Sequence, residues 1–189
     1  ALGAARLAAD ERRRALGLRV EAARRTYVAG RTLLRAVLAE LLATEPDRLA
    51  FAVGEHGRPR LSSPEGTGLD FNLSHSNGLI AAAVCRGGRV GLDLERLREV
   101  PSAERLARRF FAPAELAAVL HRTAAERDRA FLAVWTAKEA WLKATGRGIS
   151  VRLATVEVEP DPDRPPRLLA LPDDDPARWT LHRVPLPLD

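Results

Sequence analysis

The sequence predicts an α+β protein of two similar halves, and three observations carry that expectation. Apolar residues with a helical period fill the first quarter of the chain, short apolar runs broken by Gly, Pro and Asn follow, and helix signals return near Pro113. Helices then strands therefore occur twice, although no residue-level repeat is visible.

Taken in order, residues 8–43 are expected to be helical, with Leu33, Leu34, Val37, Leu38, Leu41 and Leu42 forming one buried stripe. Gly17 and Gly30 are its weak points, and Pro46 ends it. Residues 49–53 and 69–73 predict short strands around a turn-rich stretch, 54–68, and residues 79–85 and 90–94 predict two more. Pro113 suits the first turn of a helix to Leu120. Thr123 and Glu126 form a capping-box pattern ahead of a longer helix that stops at Gly146. Residues 151–159 alternate like a strand. The last thirty residues, with eight of the thirteen prolines, predict short edge strands including 179–184.

The chain has 189 residues, enough for one ordinary domain or two small ones, and 46% apolar with 29% charged residues is a globular composition. No apolar run approaches the roughly 18 residues of a membrane span. The front shows no basic-then-apolar leader, and the absence of an initiator Met points to a trimmed start. A single cysteine, Cys85, excludes an internal disulfide and a cysteine-built metal site. A cytoplasmic protein is expected.

Charge is unevenly placed. Residues 1–90 hold 14 basic and 9 acidic side chains, a net of +5, whereas residues 91–189 hold 16 of each. A basic first half (1–89) and a carboxylate-bearing second half (90–189) suit a polyanionic ligand gripped by Arg at one end and through a metal at the other. The alternative is that the arginines form solvated helix faces. Nucleic acid is disfavoured, since 5% aromatics and the lack of a reader motif offer no stacking platform. Only two of the 30 basic residues are lysine, Lys138 and Lys143. In an arginine-biased chain a retained lysine marks a position needing a compact, titratable ammonium, unless it is an accident.

Three stretches could carry chemistry. In Gly91-Leu92-Asp93-Leu94-Glu95 the strand period puts both carboxylates on one face, where each raises the other's pKa unless a cation intervenes. Mg²⁺ fits such a pair, and a solvated strand face is the plain alternative. Trp135, Glu139 and Lys143 follow an i, i+4, i+8 spacing along one helix face, with Lys138 beside them. Glu139 and Lys143 would be either a surface ion pair or, given Phe131, Trp135 and Leu142 nearby, a base and an acid or a metal and phosphate site. In Phe71-Asn72-Leu73-Ser74-His75-Ser76-Asn77-Gly78 a polar cluster joins two strands, as a plain turn or with Ser74 and His75 donating to phosphate. Gly57-Arg58-Pro59 is a turn carrying one cation. His56, His121 and His182 are scattered and suggest no zinc site.

In this order and spacing, Phe71-Asn72-Leu73-Ser74-His75-Ser76, Gly91-Leu92-Asp93-Leu94-Glu95 and Trp135-Thr136-Ala137-Lys138-Glu139-Ala140 with Lys143 and Gly146 resemble the 4′-phosphopantetheinyl transferases of the larger, pseudodimeric type. Arg109-Phe110-Phe111 with Glu115, and the Gly57-Arg58-Pro59 turn, are similar to lesser family segments, so the resemblance covers roughly residues 10–158. A family-type leading strand is expected to be short or absent, and the tail after residue 158 shows no match. The resemblance implies two halves packed as a pseudodimer with the active site at their interface, working as a monomer. It implies transfer of phosphopantetheine from coenzyme A to a serine of an acyl or peptidyl carrier protein of fatty-acid, polyketide or nonribosomal peptide synthesis, releasing 3′,5′-ADP. Asp93, Glu95 and Glu139 would bind Mg²⁺ or Mn²⁺. Glu139 would deprotonate the carrier serine, and Lys143 would contact the phosphates and protonate the leaving group. Ser74, His75 and Asp93 would hold the coenzyme, with Arg14, Gly57, Arg58 and Pro59 at its 3′-phosphate and adenine end. A Mg²⁺-dependent nuclease and a non-catalytic coenzyme or carrier binding module remain the alternatives.

Overall fold

A computed structural model describes residues 7–54, 57–148 and 151–185; His56 lies outside them. The chain divides into two compact units, one of residues up to Leu94 together with Lys143–Gly146, the other of Glu95–Leu142 with the residues from Arg147 onward. Among the described residues no helix is long and apolar enough to cross a membrane.

In the first unit, α1 (Ala9–Gly17) and α2 (Glu21–Leu41) divide at Gly17 as expected. The Ala8 N–H donates to Glu11 Oε2 at 2.9 Å, half of a capping box, because Ala8 has no side-chain acceptor to return the bond. Gly30 does not break α2. It is buried in mid-helix, where an added Cβ would lie at ordinary contact distances, 3.7 Å from Ile80 Cγ2 and 4.0 Å from Leu73 Cδ1. The apolar stripe is narrower than its pattern: Leu34 and Leu38 are fully buried and cluster with Leu49 and Phe71, whereas Leu33 and Leu41 are exposed.

Four strands follow in two antiparallel pairs, β1 (Ala50–Val53) with β2 (Pro59–Ser63) and β3 (Leu69–Ser76) with β4 (Leu79–Arg86). β2 falls inside the stretch expected to be turn. It begins at Pro59, a strand terminus where a missing N–H is tolerated. Asn77 and Gly78, both at positive φ, close the β3–β4 hairpin as a two-residue turn.

The first helix of the second unit is α3 (Ala103–Phe110), which the sequence pattern does not predict, and α4 (Pro113–Leu120) and α5 (Ala124–Thr145) follow as expected. The Thr123 hydroxyl donates to Glu126 Oε2 at 2.7 Å ahead of α5. Phe111, Phe131 and Trp135 stack through its core. The strand expected over 151–159 shrinks to β5 (Glu157–Val158), paired with β6 (Leu168–Ala170) after a 3₁₀ turn at Leu153–Thr155. Residues 179–184 join no ladder; instead the Trp179 ring packs edge-on against Trp141.

Each unit is built around the same buried ionic device. Glu11, third residue of α1, accepts from the Ala8 N–H and from Arg35 Nε at 2.7 Å, and Arg35 in turn donates to the Leu49 carbonyl at 2.9 Å. Glu115, third residue of α4, accepts from the Ala112 N–H at 2.7 Å and pairs with Lys138 Nζ at 2.6 Å, and Lys138 donates to the Leu153 carbonyl at 2.9 Å. All four charged side chains are at most 2% exposed. The two units thus share a buried glutamate–cation–carbonyl arrangement, with arginine as the cation in one and lysine in the other.

Candidate active site

The site starts from the period of β3. Its odd-numbered residues, with Phe71 at their centre, face the apolar core, so Asp70, Asn72 and Ser74 share the opposite face. Along that face runs the segment expected to be a strand over 90–94. It makes no backbone ladder among the described residues, since its N–H groups are taken by side chains: Val90 N–H by Asp70 Oδ2 at 2.8 Å, Leu92 N–H by Asn72 Oδ1 at 3.0 Å and Leu94 N–H by Ser74 Oγ at 3.1 Å. Bonds two residues apart on both partners hold the segment extended and fix the position of Asp93.

Asp93 Oδ1 accepts from Lys143 Nζ at 2.5 Å and from the Ser74 hydroxyl at 3.3 Å, and Lys143 Nζ also donates to Ser74 Oγ at 3.1 Å. Ser74 is therefore a junction, accepting from a backbone amide and an ammonium while its own proton points to a carboxylate. Asp93 is 9% exposed and Lys143 30%, so the pair is largely dry and opens to solvent on the lysine side. The other carboxylate oxygen, Asp93 Oδ2, is buried without a hydrogen-bond partner. A desolvated anionic oxygen left bare is costly, and it suits a hard cation.

The other predicted residues differ in burial and surroundings. His75 is exposed and, by the strand period, on the opposite face of β3 from Ser74, the face packed on α2. Arg14 is exposed on α1 with its guanidinium 5.6 Å from the Tyr27 ring centre. Gly57 adopts a left-handed φ of 82° in the turn that Pro59 leaves as β2. Arg58 grips Asp70 with both terminal nitrogens at 2.7 Å. Glu95 and Glu139 belong to the second unit and are half-buried. Among the described residues no three His, Cys, Asp or Glu side chains gather into a metal-holding group.

Comparison with known proteins identifies the family. Residues 89–187 match the 4′-phosphopantetheinyl transferase superfamily, and residues 2–86 match the N-terminal part of a 4′-phosphopantetheinyl transferase. The chain belongs to the 4′-phosphopantetheinyl transferase superfamily. It is 39% identical over 170 residues to the 4′-phosphopantetheinyl transferase HetI of Nostoc sp., which covers 89% of this chain and 71% of that protein. A putative 4′-phosphopantetheinyl transferase of Synechocystis sp. is 37% identical, with 86% of this chain and 65% of that protein covered. A 4′-phosphopantetheinyl transferase of Bacillus subtilis is 31% identical, with 73% and 59% covered. The chain thus spans under two thirds of the latter two relatives.

Within this transferase, sequence reasoning missed Asp70 and Asn72. The signal was present: a strand reading Asp-x-Asn-x-Ser on the face opposite its apolar residues needs donors for those side chains, and a peptide segment supplies them. Lys138 was placed beside the site and is not part of it. Fully buried, it gives its three donors to Glu115 and to the Leu153 and Val156 carbonyls, and burial pushes its pKa below the ordinary lysine value despite the Glu115 charge.

Proposed function

We propose that this chain transfers 4′-phosphopantetheine from coenzyme A to a serine hydroxyl of an acyl or peptidyl carrier protein. The serine oxygen forms a bond to the β-phosphorus as the bond to 3′,5′-ADP breaks. Family membership supports the reaction class, and the observation that carries the site is the Ser74–Asp93–Lys143 junction with its bare, buried Asp93 Oδ2. Lys143, open to solvent on one side, is set to meet a phosphate and to return a proton to the departing ADP. Ser74 and the 90–94 segment keep Asp93 in place. We assign Glu139, one helical turn before Lys143, as the base for the carrier serine.

Asp93, with Glu95 and Glu139, would hold Mg²⁺ or Mn²⁺. Asp93 Oδ2 fits such an ion, because Mg²⁺ binds through one or two carboxylates plus substrate phosphates and needs no all-protein cage. When bound, the metal supplies charge neutralisation on the pyrophosphate. His75, Arg14 and the turn at Gly57 and Pro59 are assigned to the coenzyme. We read the serial match of two family segments along one chain as a pseudodimer that works as a monomer. A cytoplasmic location, expected from the cysteine usage, is part of this reading.

The test is mass spectrometry of an unmodified carrier protein incubated with the chain, coenzyme A and Mg²⁺. The expected result is a mass gain of one phosphopantetheine, dependent on the metal and lost in Glu139→Gln, which keeps coenzyme A binding. Cleavage of nucleic acid with no carrier modification would overturn the proposal in favour of a nuclease. Coenzyme binding without transfer would leave a binding module.

A further inference from the structure

Arg58 is the most heavily bonded cation described in the first unit. Its Nη1 and Nη2 donate to Asp70 Oδ1 and Oδ2 at 2.7 Å, a fork-on-fork pair. Nη2 also donates to the Val90 carbonyl at 2.8 Å and the Phe71 carbonyl at 3.3 Å, and Nε to the Lys143 carbonyl at 2.8 Å. The last acceptor lies in the final turn of α5, where helix carbonyls lack intrahelical partners and a cation is favoured. The fit extends to the side-chain stem. Gly146 follows α5 with a left-handed φ of 70°, and an added Cβ there would lie 3.3 Å from Arg58 Cδ. One side chain thus joins β3, the segment carrying Asp93 and the helix turn carrying Lys143, with every guanidinium nitrogen committed to protein.

We propose that Arg58 is a positioning residue for the transfer site and not a ligand of the coenzyme. Held in orientation by Asp70, it fixes the end of α5 against the Val90 segment, and so sets the Lys143–Asp93 distance. The inference rests on the reading of Lys143 and Asp93 given above, and it departs from the expectation that Arg58 meets the coenzyme's adenine and 3′-phosphate. A lysine could keep the charge but not the five-bond fork.

The test compares Arg58→Lys, Asp70→Asn and the double variant in steady-state kinetics with the intact chain, carrier protein and coenzyme A, alongside amide hydrogen exchange. Each single variant is expected to lower kcat about tenfold or more while the KM for coenzyme A moves less than about twofold. The double variant should be no slower than the slower single one, because both break one unit. Amides of residues 143–146 should exchange faster in all three. Should Arg58→Lys fail to fold, Asp70→Asn, which breaks the fork and leaves the arginine in place, carries the test with the same expected split. A rise of tenfold in KM with kcat intact in Arg58→Lys would overturn the proposal, as would an Asp70→Asn variant that binds coenzyme A more tightly through a released arginine. Absence of transfer in the unaltered chain would sink the functional reading, and hydrogen exchange would still decide whether Arg58 clamps the helix end.

Discussion

Lys143 and Lys138 sit on one helix, α5, and meet opposite surroundings. Lys143 threads between Asp93 Oδ1 and Ser74 Oγ with its solvent side open. A guanidinium is wider and planar and holds its proton far more tightly than an ammonium, so it neither fits that gap nor gives up a proton. Lys143→Arg is expected to reduce turnover at least tenfold, about 1.4 kcal/mol of transition-state stabilisation, with an unchanged circular dichroism spectrum. Arg105→Lys, at an exposed position of α3, is the control and should be nearly silent. Arg147 would be a poor control, because it donates to the Pro172 carbonyl and lies over the Trp141 ring. Lys138 is retained for a different reason: a compact ammonium has three donors, and its dry pocket offers three acceptors. Lys138→Met should cost about 3–5 kcal/mol in urea unfolding by leaving Glu115 charged and unpaired, and adding Glu115→Gln should recover part of it. Burial lowers the folded-state pKa of Lys138, so between that value and the ordinary 10.5 the unfolded chain binds more protons. Stability from this group therefore rises with pH through that window, and the gap between the unaltered chain and Lys138→Met should widen there.

At the scale of elements, α2 shows how far a pattern can be trusted. Its length and helical character follow from the apolar period, yet Gly30 reads as a break and is in fact a seat for the β3–β4 hairpin. An added Cβ would meet Ile80 and Leu73 at ordinary contact distances, so Gly30→Ala should stabilise the chain by about 0.5–1 kcal/mol through helix propensity, measured as a raised urea midpoint. A loss of stability would show that the hairpin does not accept the added methyl group. The long helices and the β3–β4 hairpin were legible because periodicity, capping residues and turn residues are local signals. β2 was not, since Pro59 and the glycines around it look like a turn until β1 is in place to pair with it. α3 was hidden because its buried positions, Ala103 and Ala107, are too small to mark an apolar stripe. The 151–159 alternation misled because the Leu153 and Val156 carbonyls go to Lys138 and not to a neighbouring strand. The candidate site was legible in its residue types, as Ser74, Asp93 and Lys143 do converge. The shared phosphate role expected of Ser74 and His75 overlooks the same alternation that pairs Asp93 with Glu95: as neighbours on a strand they point to opposite faces.

For the whole molecule the feature with a consequence is charge. All of the net +5 lies in the first 90 residues, and the second half is neutral. Part of that basic charge is internal, since Arg35 and Arg58 are committed to Glu11 and Asp70, whereas Arg12, Arg13, Arg14 and Arg19 are exposed around α1. An exposed cluster of one sign acts at long range, and coenzyme A is a polyanion, so capture of the coenzyme should depend on salt. Raising ionic strength from about 0.1 M to about 1 M shortens the screening length from about 10 Å to about 3 Å. The Lys143–Asp93 pair, largely out of water, is screened far less than the α1 arginines. The two terms therefore separate in kinetics. We expect kcat/KM for coenzyme A to fall several-fold over that range while kcat at saturating coenzyme A stays nearly level. Arg12→Gln with Arg13→Gln should flatten the salt dependence of kcat/KM without changing kcat. A kcat that falls in parallel with kcat/KM would instead place the salt-sensitive charges at the reacting phosphates, and would assign the basic excess of the first half to solubility alone.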